Sequence, residues 1–139
     1  MCKKRKPSNN GTVPQGILDL LGVSGVTVHT VCNQQLIDRF STPSVQLEAF
    51  TEKAGNMFVI YHRGPAIPKF ILAHELAHVC QMHSGRLSVT DNRDFIWEGQ
   101  LYTKAMPYND RPWEKEALKT QKIIIKLIND YYGQKSNPR

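Results

Sequence analysis

Cysteine is scarce and shows no pairing pattern. Three occur in 139 residues, at positions 2, 32 and 80, and none forms a Cys-x-x-Cys pair. That count fits neither a disulfide framework nor a zinc ribbon, so reduced thiols in a cytoplasmic protein are expected. Long apolar runs are missing too. Nothing approaches the ~20 apolar residues of a membrane helix, because His74, Glu75 and His78 interrupt one candidate and Lys126 another. No membrane partner is expected. The start also lacks a signal peptide's apolar stretch: Lys3, Lys4, Arg5 and Lys6 are followed by Pro7-Ser8-Asn9-Asn10-Gly11.

What is present is enough for one domain. Hydrophobic residues make up 40% of the chain, which supports a packed core and excludes wholesale disorder. The net charge is +6, and the four basic residues at positions 3 to 6 supply most of the excess. A solubilising arm accounts for them, with room for a nucleic-acid partner but no need of one. The expected organisation is a flexible basic leader over 1–13, one domain over 14–133, and a polar tail over 134–139.

Along the chain, Pro14 suits a helix first turn, and Ile17, Leu18, Leu20 and Leu21 give a short apolar stripe ending near Gly22. The β-branched run 26–31 reads as a strand, and 33–41 stays ambiguous until Pro43 closes it. A hairpin is expected from 46–51 and 57–62 around the turn residues Lys53-Ala54-Gly55-Asn56. A helix follows over about 68–82, then a second hairpin across 86–102 with Asp91-Asn92 at its tip. A last helix begins near Asp110-Arg111-Pro112 and ends at Gly133. The fold class is α+β: a small antiparallel or mixed sheet against a central helix and a C-terminal helix.

The chemistry lies in Ala73-His74-Glu75-Leu76-Ala77-His78, an HExxH on a predicted helix. Residues at i and i+4 share a helix face, so both imidazoles can address one ion. Zinc takes His nitrogens at ~2.0–2.1 Å, and catalytic sites hold three protein ligands with a position left for water. Glu75 is placed to act on that water as a general base. The plain alternative is an amphipathic helix with His and Glu in solvent. It predicts no third ligand.

Candidates for the third ligand differ in quality. His83 does not fit the extended HExxHxxGxxH pattern, because Gln81 and Ser84 stand where Gly and His are required. Glu98 has no supporting pattern. Glu116, in Arg111-Pro112-Trp113-Glu114-Lys115-Glu116-Ala117, is favoured as a carboxylate near the start of a second helix. Glu114 stays open as its rival, although a first-turn carboxylate is also expected merely to offset the helix dipole.

The HELAH helix, the Phe-Ile-Trp-Glu-Gly segment and the Tyr-x-x-Arg-Pro-Trp-Glu-x-Glu-Ala segment resemble small gluzincin-type metallopeptidase domains, the minigluzincins and the ImmA/IrrE-like group. The resemblance covers about residues 57–120. It implies zinc held by His74, His78 and Glu116, Glu75 as catalytic base, and hydrolysis of a peptide or protein substrate. Tyr102 and Tyr108 are candidates to donate a hydrogen bond to the developing oxyanion, although packing with a wet hydroxyl is the plainer role for either. If the strand 57–62 lies at a sheet edge, an extended peptide could pair with it. The rival expectation is a zinc-containing regulatory or nucleic-acid-associated module without turnover. Lysines 115, 119, 122 and 126 could meet phosphates, but they are read as dispersed around the helix rather than as one stripe.

Overall fold

The computed structural model describes residues 10–42 and 46–136. Its elements are β1 (Asn10–Thr12), α1 (Gln15–Leu20), β2 (Thr27–Cys32), α2 (Gln34–Phe40), β3 (Ala49–Ala54) and β4 (Met57–His62). Then come α3 (Lys69–His83), β5 (Leu87–Val89), β6 (Phe95–Trp97), β7 (Gln100–Tyr102), a 3-10 turn (Tyr108–Asp110) and α4 (Pro112–Ser136).

Alternation along β4 turns Phe58, Ile60 and His62 to one side, where all three are buried. Val28 of β2 and Thr51 of β3 join them. The sheet order is β1-β2-β4-β3, with β2 and β4 parallel and both outer pairs antiparallel, so the sheet is mixed. Phe40, Phe50 and Tyr61 stack on the opposite face, with successive ring centroids 5.2 Å apart.

Helix α3 lies between this sheet and α4. Both of its sides are covered, which is why its buried residues run almost continuously from Ala73 to Met82 instead of forming one apolar stripe. Ala73, Ala77 and Ala117 are fully buried and let the two helices approach closely. The helices run antiparallel: Lys69 bonds Asn129, His74 bonds Gln121, and Gln81 bonds the Trp113 carbonyl. Gly16 serves a similar purpose in α1, since a Cβ there would come within 2.4 Å of the Tyr131 ring on α4.

Several expectations need correction. Asn10–Thr12, placed in the leader, forms a strand against β2, while residues 1–9 and the stop at Pro43 lie outside the described residues. The ambiguous 33–41 stretch is a helix capped by the Asn33 side chain, which accepts from the Leu36 amide at 3.0 Å. The region 86–102 holds three strands, not one hairpin. Glu98 and Gly99 both have positive φ, the backbone of a tight two-residue turn between β6 and β7. Gly133 does not end α4, which continues to Ser136. Strand 57–62 lies inside the sheet, so β3 carries the edge next to α3.

Lysines 115, 119, 122 and 126 are all exposed, and a spacing of four, three and four residues puts them within about 60° on one helix face. They form one stripe after all. Cys80 is a free thiol, but Cys32 is disulfide-bonded, so reduced thiols no longer argue for a cytoplasmic location. Among the described residues, no helix is long and apolar enough to cross a membrane.

Candidate metal centre

One turn of α3 and the first turn of α4 build the site. His74 and His78, four residues apart, stand on the same face of α3 with ring centroids 4.9 Å apart and planes nearly perpendicular. Pro112 opens α4 as its first residue, so Glu114 projects from the first helical turn. A single oxygen, Oε1 of Glu114, lies 2.8 Å from Nε2 of His74 and 3.0 Å from Nε2 of His78. These three side chains are a group of donors that could hold a metal ion.

The outer nitrogens decide what the inner ones can offer. Nδ1 of His74 is 2.7 Å from Oε1 of Gln121, and Nδ1 of His78 is 2.8 Å from Oε1 of Gln81. An amide oxygen only accepts, so each Nδ1 carries the hydrogen and each neutral ring presents a lone pair at Nε2. Two imidazole lone pairs and an ionised carboxylate oxygen therefore converge on one point. They repel unless positive charge sits among them.

The titration of the group expresses the same demand. Burial presses the His78 pKa down, but the charge and bond of Glu114, with help from Glu75, outweigh it and lift the group to about 9. Burial would raise the Glu114 carboxyl, yet His78 and His74 hold it well below the usual carboxylate range. A metal cation held there would supply what the proton on His78 supplies otherwise. Ligand atoms at ~2.0–2.1 Å around a tetrahedral zinc lie about 3.3 Å apart, a few tenths wider than the separations here. His74, His78 and Glu114 could thus hold a metal ion as a His-His-Glu set.

Glu75 lies beside the cluster and out of it. Its Oε1 accepts from the Thr51 hydroxyl of β3 at 2.8 Å. Burial raises its pKa, and the lowering influences of His78, His74 and Thr51 offset this only in part. Tyr108 enters from the 3-10 turn, with its hydroxyl 3.1 Å from Nε2 of His74. Burial and Glu114 raise its pKa well above the ordinary value, so it stays a protonated donor. Arg111 steadies this approach, with its guanidinium 5.9 Å from the Tyr108 ring and bonded to the carbonyls of Met106 and Lys104.

The structure therefore brings His74, His78, Glu75 and Tyr108 together with Glu114, and it draws Glu116 elsewhere. Glu116 accepts from Arg86 and Gln81 on the far side of the buried stripe of α4. Tyr102 is used in packing, its ring 5.5 Å from that of Trp113. His83 is exposed at the end of α3, and Glu98 pairs with Arg86. Thr51, Gln81, Gln121 and Arg111 were not anticipated. Two had a signal in the spacing: Gln81 is three residues after His78, and Gln121 is seven after Glu114, each on the ligand's own helix face.

A cleft of about 500 Å³ is lined among others by Thr51 and Lys53 of β3, Met82 of α3, and Leu87 and Val89 of β5, and by none of the clustered donors. Thr51 thus borders the cleft and holds Glu75. No family model, curated protein or solved structure matches this chain. What defines it is an α+β fold with a buried His-His-Glu group able to hold a metal ion.

Proposed function

We propose that the protein is a zinc-dependent peptidase of gluzincin type, with Glu114 rather than Glu116 completing the ligand set. The observation that carries this reading is the convergence of His74, His78 and Glu114 beside a buried carboxylate that does not join them. Bound there, zinc would supply Lewis acidity toward a substrate carbonyl and toward water.

The chain's own residues would do the rest. Glu75, turned aside by its bond to Thr51, takes a proton from the attacking water at its carboxylate and passes it to the leaving amine. Its burial favours holding that proton between the two transfers. The Tyr108 hydroxyl donates to the oxygen that becomes negative, a role often worth several kcal/mol in acyl chemistry, of order ~3 kcal/mol. Strand β3, with its outer edge beside the cleft, is suited to pair with an extended peptide. The test is Glu75→Gln in zinc-loaded protein against a peptide library. Cleavage should vanish while zinc content stays at the wild-type level. Cleavage that persists would remove Glu75 from the reaction.

The lysine stripe on α4 favours a second reading, a zinc-containing module that meets nucleic acid without turnover. Salt-dependent DNA binding that falls when Lys119 and Lys122 are replaced by Glu, with no Glu75-dependent cleavage, would select it.

A further inference from the structure

Gln81 and Glu116 stand outside the donor cluster, yet both are tied to it by hydrogen bonds whose direction is chemically forced. Nε2 of Gln81 donates to the Trp113 carbonyl at 3.0 Å and to Oε1 of Glu116 at 3.0 Å. Neither partner has a hydrogen to give, so the amide cannot turn over without facing two acceptors with its own oxygen. Oε1 of Gln81 must therefore face Nδ1 of His78, 2.8 Å away. Glu116 is fixed in turn. Nη1 of Arg86 donates to its Oε1 at 3.1 Å and Nη2 to its Oε2 at 2.6 Å. Arg86 is itself held by Glu98 at 2.8 Å and stacks 4.6 Å from the centre of the Trp97 ring.

We propose that Gln81 and Glu116 are positioning residues which lock His78 in the Nδ1–H tautomer, so that its Nε2 lone pair stays presented to a divalent cation shared with His74 and Glu114. This rests on the metal-binding reading above and adds to it a role for two residues that touch no metal. An unrestrained neutral imidazole exchanges its hydrogen between the two nitrogens, and the form protonated at Nε2 cannot ligate through that atom. Each lock removed leaves a larger share of His78 in the wrong form. Glu116 thus serves the site from two bonds away. His74 is an internal control, since its Nδ1 is bonded to Gln121 and not to this chain of contacts.

The experiment measures zinc affinity of the full chain by chelator competition at one pH, with folding followed by circular dichroism. Gln81→Met, of similar volume but without the amide, should weaken zinc binding by about 10- to 100-fold, the range usual for lost partners of metal-bound histidines. Glu116→Ala should weaken it by about tenfold, while Glu116→Gln, which keeps an accepting oxygen, should stay within about threefold of wild type. In zinc-loaded protein, imidazole nitrogen NMR should show the Nδ1–H of His78 in wild type and Glu116→Gln. In Glu116→Ala and Gln81→Met that signal should broaden or disappear while that of His74 persists.

Folded Gln81→Met and Glu116→Ala proteins that bind zinc as wild type does would overturn the lock and leave the metal centre standing. Wild-type protein that takes up no zinc would overturn both. If one variant fails to fold, the other, with Glu116→Gln, still decides the matter.

Discussion

Oε1 of Glu114 lies 3.0 Å from Nε2 of His78, across the packed faces of α3 and α4. The same oxygen meets His74, so one carboxylate joins both imidazoles and defines the centre. Glu114→Ala should therefore abolish tight zinc binding, with a loss of at least about 100-fold, larger than any effect at Glu116. Metal-free Glu114→Ala should also be less stable by a few kcal/mol, roughly 3, because His78 loses the partner that sustains its charge. Zinc titrations and urea unfolding of the two variants check both points. Equal losses at positions 114 and 116 would contradict the assignment.

The motif letters gave His74, Glu75 and His78, and the helix carrying them lies where periodicity put it. The third member of the cluster was harder to read because Glu114 and Glu116 flank the same buried stripe of Trp113, Ala117, Ile124 and Ile128 on opposite sides. Composition does not say which flank meets the two histidines. Gln121 does, since it lies two turns from Glu114 on the side that meets His74. The β6–β7 turn was missed because Glu98 adopts a positive φ that favours glycine, a cost that the sequence does not advertise. That β4 sits inside the sheet also followed from tertiary pairing. Its parallel contact with β2 brings together segments separated by α2 and β3.

In the proposed centre, zinc and protons would compete for His78. In metal-free protein its folded pKa is lifted from 6.5 to about 9, so its contribution to stability is complete below the lower value and is lost as pH rises through the upper one. The urea midpoint of metal-free protein should therefore fall between those two values. Zinc affinity should move the other way, rising by up to about tenfold per pH unit across the same window, because binding expels the proton. A pH-independent affinity there would mean that His78 binds no proton in the metal-free site.

Tyr108→Phe removes only the hydroxyl that lies 3.1 Å from His74. If that hydroxyl serves the developing oxyanion, kcat should fall by about 10²–10³-fold with KM little changed. Zinc affinity should shift far less than in Glu114→Ala. Tyr102→Phe should leave kcat near wild type, since the ring packing on Trp113 survives the change. A rise in KM alone for Tyr108→Phe would assign the hydroxyl to substrate binding.

Thr51 connects the sheet edge to Glu75, the base of the proposed reaction. Its hydroxyl is one of the groups that restrain the raised pKa of Glu75, so Thr51→Val, nearly isosteric, should lift that pKa further. The acid limb of kcat/KM should then move to higher pH, and kcat should fall because the carboxylate loses the bond that fixes its orientation. Zinc affinity should stay within about threefold of wild type, since Thr51 contacts no ligand and the cluster keeps its own partners. The valine also leaves a buried carboxylate short of one donor, at a cost of about 1–3 kcal/mol in stability. Rate against pH and thermal unfolding separate the two effects. An acid limb that stays in place while stability falls would make Thr51 a packing residue only, and Glu75 would then owe its orientation to α3 alone.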